Sequence, residues 1–216
     1  MQHQILEITL GIAFLVLSLG VHEAAHAYVA YRCGDGTAKE QGRLTLNPMA
    51  HLDPFMTVLL PLFLYLTSAP FLFGGARPVP VNPMRLRRPL RDMMLVALAG
   101  PISNVLLAII FTVAYKAMYY VGHMDPQALA PQVMWTALSF NLVLAVFNMI
   151  PIPPLDGSRV MTYLLPRGLR ERYVSLEPLG MVLVVALLMT GALGWIWHIA
   201  SLPMFNFVDF MTGGAW

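Results

Sequence analysis

Long apolar runs alternate with short, turn-rich polar stretches along this chain, and the runs are of membrane-crossing length. The first, Ile5 to Arg32, is about 28 residues, roughly 42 Å of helix, enough to span a bilayer with some excess. Gly34, following Cys33, supplies its stop. Gly34 to Leu52 is polar, with Asp35-Gly36 and Asn47-Pro48 as turn signals. His51 reads as a loop residue and Asp53 as an N-cap ahead of Pro54 at the first helical position. Pro54 to Phe73 is apolar again and about 20 residues long, but Pro61 and Pro70 interrupt it, so a full span and a broken, re-entrant element both fit. Phe73 to Pro83 cannot be helix. Its Gly pair, alternating Val and Pro and closing Asn-Pro predict an extended hairpin or edge strand able to take a further strand, or an ordinary connecting loop. Met93 to Val121 is the next span, leaving through Lys116, Tyr119 and Tyr120, and Val133 to Phe147 returns. Pro151, Pro153 and Pro154 end that helix, a short helix follows from Ser158 to Leu165, and Glu177 to Ala200 is a last span. It ends in Trp195, Trp197 and His198, an interfacial group.

The charges help decide between the two readings of Pro54 to Phe73. Of the 13 Lys and Arg, three lie between Arg32 and Arg43, five between Arg77 and Arg91, and four between Arg159 and Arg172. If the Pro54–Phe73 stretch enters and leaves by one face, all three clusters share that face, which the positive-inside rule names cytoplasmic. The re-entrant reading is therefore favoured. A tail to Trp216 without a basic residue agrees with an external end.

Composition places the chain among polytopic membrane proteins: 58% hydrophobic and 11% charged residues, with a mean hydropathy of +0.67. The expected fold is all-α: a three-helix core, additional transmembrane or re-entrant segments and a small membrane-associated hairpin. All 216 residues form one integral-membrane unit, with a core over about 5–165 and a C-terminal helix over about 177–200. A net charge of +2 gives no argument for nucleic acid. The single cysteine, Cys33, excludes an internal disulfide and a cysteine-based zinc cluster, and the fifteen Met read as adaptable packing. Met1 to Leu10 lacks the positive start of a cleaved signal peptide.

Within the first apolar run stand His22, Glu23 and His26. Ionisable groups are costly in a bilayer core, and an intramembrane cluster marks function by default. Helical spacing puts His22 and His26 on one face, a two-nitrogen seat for zinc, with Glu23 adjacent and able to act on a water as general base. If Arg32 marks the interface, His22 lies ~15 Å inside the membrane. Asn104, on the Met93–Val121 span, is an amide in lipid and calls for a hydrogen-bonding duty. Asp156 hangs from the Pro-rich break and is a candidate third zinc ligand, although Asp156-Gly157-Ser158 also reads as a helix cap.

His22-Glu23-x-x-His26, Gly100-Pro101-x-x-Asn104 and Asn148-x-x-Pro151-x-Pro153-x-Leu155-Asp156-Gly157, in this order, resemble the site-2 proteases, a family of intramembrane zinc metallopeptidases. The resemblance covers roughly Ile12 to Gly157. It implies three core helices, one per motif, with one zinc on His22, His26 and Asp156, and Glu23 as catalytic base. It also implies that Asn104 helps hold substrate or its oxyanion, that Asn148 assists, and that Gly74–Val81 is a membrane-associated β-hairpin pairing with an unwound substrate. The implied activity is hydrolysis of peptide bonds within or next to transmembrane segments of protein substrates. The implied setting is the plasma membrane, with the site open to the cytoplasmic side. Unlike larger relatives of that family, the sequence has no inserted PDZ or CBS domain and no spanning helix before the zinc motif. Two other classes compete: a zinc-binding membrane protein without catalysis, such as a transporter or silent relative, and a structural membrane subunit with a chance motif. A transporter calls for polar residues along a whole path, whereas here they gather near one depth.

Overall fold

A computed structural model describes residues 2–59, 63, 66–67, 75–191, 202 and 206. Among these residues every regular element is helical and none is a strand. Besides short 3-10 and π turns, the α-helices in order are α1 (Gln2–Arg32), a single turn α2 (Thr37–Glu40), α3 (Pro89–Lys116), α4 (Leu129–Asn148), α5 (Asp156–Leu164), α6 (Arg167–Val174) and α7 (Gly180–Met189). Three stretches, Thr9–Arg32, Pro89–Val121 and Leu129–Asn148, are long and apolar enough to cross a membrane.

α1, α3 and α4 pack against one another and form the core. Lipid tails are as apolar as leucine, so helices associate there through close approach and hydrogen bonds rather than through a hydrophobic drive. The buried faces accordingly carry small residues: Ala24, Ala27 and Ala30 on α1, Ala97 and Ala108 on α3, and Ala137 and Ala145 on α4. Ala108, Phe111, Ala137, Leu138 and Leu142 make one buried cluster, and Phe14 of α1 meets Phe111 edge-on at 5.4 Å between ring centres. A second cluster of Ile150, Leu155 and Val184 fastens α7 to the Pro-rich turn between α4 and α5. That turn is tight enough that a methyl group on Gly157 would strike the Met149 carbonyl, and one on Gly180 the Pro153 carbonyl.

The boundaries of the core helices follow the hydropathy pattern within a few residues. α1 stops where expected, with Gly34 at φ +111°. Asp53 takes the capping place, its Oδ1 accepting the N–H groups of Phe55 (2.8 Å) and Met56 (2.9 Å). α6, an amphipathic helix bearing Arg167, Arg170 and Arg172, was not among the expected elements. Of the expected last span the described helix runs to Met189; Trp195, Trp197 and His198 lie outside the described residues. So do Pro61 and Pro70. Residues 75–82 run without helix or strand ladder.

Arg87 N–H donates to the Cys33 carbonyl (3.1 Å), so the end of α1 and the approach to α3 lie at one end of the bundle. Asp35 organises that end. Its carboxylate is fully buried and accepts the Thr37 N–H (3.0 Å), the Thr37 hydroxyl and the Asn82 N–H (2.6 Å). Burial works against its ionisation. The Thr37 hydroxyl and N–H, the Asn82 N–H and the charge of Arg85 outweigh it and hold the carboxyl below its ordinary value. A depressed carboxylate stabilises the fold above its unfolded pKa of about 4, and that contribution is lost as pH falls through the lower folded value. Asp35→Asn is expected to cost about 1.5–3 kcal/mol at pH 7. In thermal scans of the detergent-purified protein it should also flatten the fall in Tm below about pH 4.

Candidate metal centre

His22 and His26 project from α1 one turn apart, 4% and 8% exposed, their rings edge-on with centres 4.6 Å apart. Each ring is fixed from α3. His26 Nδ1 donates to the Val96 carbonyl (2.7 Å), and His22 Nδ1 lies 2.5 Å from Asn104 Oδ1. The polarity of the second contact is set two residues further away. Asn141 of α4 donates through Nδ2 to the Ala137 carbonyl (2.9 Å) and to Ser18 Oγ (2.8 Å), so its Oδ1 is the acceptor. Asn104 Nδ2 donates to that oxygen (2.9 Å), which turns Asn104 Oδ1 towards His22 as acceptor and puts the proton on Nδ1. Ser18 in turn donates to the Phe14 carbonyl (2.7 Å). Asn104, Asn141 and Ser18 are all fully buried.

In the neutral rings a proton on Nδ1 leaves Nε2 free to bind a metal, and the two Nε2 atoms face each other at 3.0 Å. Asp156, the first residue of α5, brings Oδ2 to 3.3 Å from His22 Nε2 and 3.4 Å from His26 Nε2. That oxygen is buried and accepts no hydrogen bond. Two imidazole nitrogens and one carboxylate oxygen therefore converge, all within 4.8 Å of one another. Such a donor set fits a divalent cation of zinc's type. The space is kept open by Gly100: a methyl there would lie 2.5 Å from His26 Nε2 and 2.6 Å from His22 Nε2.

Glu23 stands beside the pair on α1, its Oε2 accepting the Val79 N–H at 2.9 Å. These groups open on a groove of about 440 Å³, walled by α1, α3, the end of α4 and the extended residues 75–81, with Met93, Phe147 and Val81 on its apolar side. Asn148 also lines it, and donates through Nδ2 to the Leu144 carbonyl (2.9 Å). Asn104 does not line the groove; it stands behind His22. His22, Glu23, His26 and Asp156 are thus brought together, with Asn148 at the edge. The sequence reading includes Gly100 in the Gly100-Pro101-x-x-Asn104 motif, though not its contact with the histidines, and does not single out Asn141 or Ser18. Asn141, an amide within an apolar helix, carries the same signal that drew attention to Asn104.

Residues 117–191, which include Asp156, match the model of peptidase family M50. A Bacillus subtilis (strain 168) protein named "Putative zinc metalloprotease YwhC" is 42% identical over 179 residues, spanning 82% of this chain and 78% of that protein. The chain belongs to peptidase family M50. This is the site-2 protease family that the three motifs resemble. A second M50 relative, from Mycolicibacterium smegmatis (strain ATCC 700084 / mc(2)155) and bearing the same description under the name Rip2, is 31% identical over 206 residues, 93% of this chain and 73% of its own length. Its Mycobacterium tuberculosis (strain ATCC 25618 / H37Rv) namesake is 28% identical over 193 residues, covering 87% and 70%. No solved structure matches the chain.

Gly100→Ala tests the geometry of the metal space. Alanine favours a helix over glycine by about 1 kcal/mol, so the helical circular dichroism should be retained. Bound zinc, measured by elemental analysis of the purified chain, should fall well below one per chain.

Proposed function

We propose that this M50 protein is an intramembrane zinc metalloprotease that hydrolyses peptide bonds within or next to transmembrane segments of membrane proteins. One observation carries the reading: Nε2 of His22, Nε2 of His26 and Oδ2 of Asp156 converge beside the Glu23 carboxylate in one groove. His22, His26 and Asp156 would hold the metal, and an inert zinc-binding protein would have no use for Glu23 at that place. When bound, zinc supplies Lewis acidity toward a water and toward the scissile carbonyl.

The residues of the chain do the rest. Glu23 takes a proton from the attacking water as its oxygen bonds to the carbonyl carbon, and hands a proton to the amine as the C–N bond breaks. Asn104 acts from behind: by accepting from His22 Nδ1 it holds the ring in the tautomer that leaves Nε2 free. This differs from the substrate or oxyanion role that the resemblance implies for it, which its burial behind His22 does not favour. Asn148, on the groove, remains available to substrate. A helical substrate hides its carbonyls in its own hydrogen bonds, so it must unwind before it can enter.

The basic clusters support a site open to the cytoplasmic face of a plasma membrane. For residues 54–73 a re-entrant course is supported by their neighbours: Gly75 N–H donates to the Met56 carbonyl (3.1 Å) and Thr57 Oγ1 to the Gly75 carbonyl (2.6 Å). Residues 56–57 and 75 are thus neighbours, with too few residues between them for two crossings of about 20 each. The extended residues 75–81 line the groove beside Glu23 and would flank an unwound substrate there, the role of the hairpin in the family resemblance.

The test is cleavage of a single-span peptide carrying a mid-membrane helix break by the zinc-loaded protein in detergent. Glu23→Gln should lower kcat by about 10²–10⁴-fold with zinc content unchanged; a wild-type rate would remove Glu23 as the base. Asn104→Leu should weaken zinc binding roughly 10–100-fold in a chelator competition.

A further inference from the structure

Arg43 is the one buried arginine among the described residues, 6% exposed. It follows the left-handed turn at Gly42 (φ +69°), and its N–H closes that turn on the Ala38 carbonyl (2.8 Å). A buried guanidinium is costly unless paired. Among the described residues no carboxylate lies within ion-pair distance of it. Its Nη2 instead donates to the Arg77 carbonyl (2.5 Å) and reaches the Pro78 carbonyl (3.5 Å), while Nε has no partner. The Glu23 carboxylate nevertheless acts on it through space, opposing the burial and the Arg77 charge that hold the guanidinium below its ordinary value.

The carbonyls it grips belong to a strap whose donors are few. Pro78 and Pro80 have no N–H, so Arg77 and Val79 supply the donors nearest the base. Both are committed: Arg77 N–H to the His51 carbonyl (2.7 Å), Val79 N–H to Glu23 Oε2 (2.9 Å). Arg43 thus grips the chain one and two residues before the N–H that meets Glu23, and proline on either side stiffens the intervening backbone. A carboxylate fixed through one oxygen keeps the other for proton transfer.

We propose that Arg43 is a positioning residue, which clamps the Arg77–Pro78 backbone so that the Val79 N–H holds the Glu23 carboxylate in place. This rests on Glu23 being the base of the proposed reaction. The clamp also removes Val79 N–H from the donors available to an incoming strand, so substrate meets this part of the strap through its free carbonyls.

Hydrogen exchange of the full-length protein in detergent tests the clamp without any substrate. Over residues 77–82 exchange reports Arg77, Val79, Val81 and Asn82 alone. Arg43→Ala should speed exchange at Arg77 and Val79 by about tenfold or more, and Arg43→Lys should restore most of the protection. In the cleavage assay Arg43→Ala should lower kcat by about tenfold, with KM within about twofold of wild type and zinc content unchanged. Unchanged protection overturns the proposal, as does unchanged kcat or an effect confined to KM. If Arg43→Ala does not fold, Val79→Pro, which removes the N–H, is compared with Val79→Ala, which keeps it. A kcat for Val79→Pro at least about tenfold below that of Val79→Ala supports the clamp, and equal values overturn it. Failure of Glu23→Gln to impair cleavage overturns the assignment of the base instead, whatever the exchange result.

Discussion

Three lone pairs pointed at one another inside an apolar bundle are unstable by themselves, and the arrangement of α1, α3 and α4 depends on how that instability is contained. A divalent cation relieves it, and the Val96 carbonyl and Asn104 Oδ1 favour the tautomers whose Nε2 atoms can bind one, with the ring protons on the far side. The Asn104 amide cannot turn round without setting its Oδ1 against Asn141 Oδ1, because Asn141 is anchored on the Ala137 backbone carbonyl. Main-chain geometry on α4 thus decides the protonation pattern on α1 through two side-chain amides. In a medium without water a half-satisfied chain of this kind would be worse than none. Here its members account for one another as far as the Phe14 carbonyl.

The same helices that carry this polar chain must also touch closely, and small residues reconcile the demands. The alanines bring the backbones together over most of their length, and at Gly100 the approach goes further, leaving room between α3 and the imidazoles that a single methyl would close. Presentation of Asp156 is solved differently. Its helix begins only after a turn of three prolines, closed tightly enough that Gly157 must lack a side chain. The carboxylate is carried by constrained backbone rather than by a long flexible side chain, which limits the entropy lost in holding it beside the histidines.

Much of this was legible in the sequence because the bilayer punishes exceptions. Helix lengths follow from apolar runs, and Glu23, His22 and His26 stood out as ionisable groups where such groups are costly. Asp156 was legible through the prolines that present it. What escaped notice are interactions whose partners are far apart in the chain. Asn104 was visible as an amide in lipid, but its partner could have been substrate, another helix or backbone; only the packing of α3 on α1 puts it behind His22. Arg43 was counted as one cation in a topological cluster, since nothing in its neighbours Gly42 and Leu44 shows that it turns inward to the backbone of residues 77 and 78. Residues 75–82 were read for their backbone edge, but the ladder expected of a hairpin is missing among the described residues, and the donors that could build one are largely spent on His51, Glu23 and Asp35.

That expenditure bears on how the site treats water and substrate. A strap free to form a complete ladder would bind any extended chain strongly through its backbone, including the strap of a neighbouring copy. Prolines at 78 and 80 and the internal use of Arg77, Val79 and Asn82 remove most of that capacity. A strap with so few donors to spare would hold a peptide weakly unless the peptide's own N–H groups are already free. A continuous transmembrane helix has none to offer, since each N–H is bonded four residues back. Under the proposed function the groove would discriminate by the local stability of the substrate helix as well as by its side chains, and selection would begin before any carbonyl reaches the metal centre.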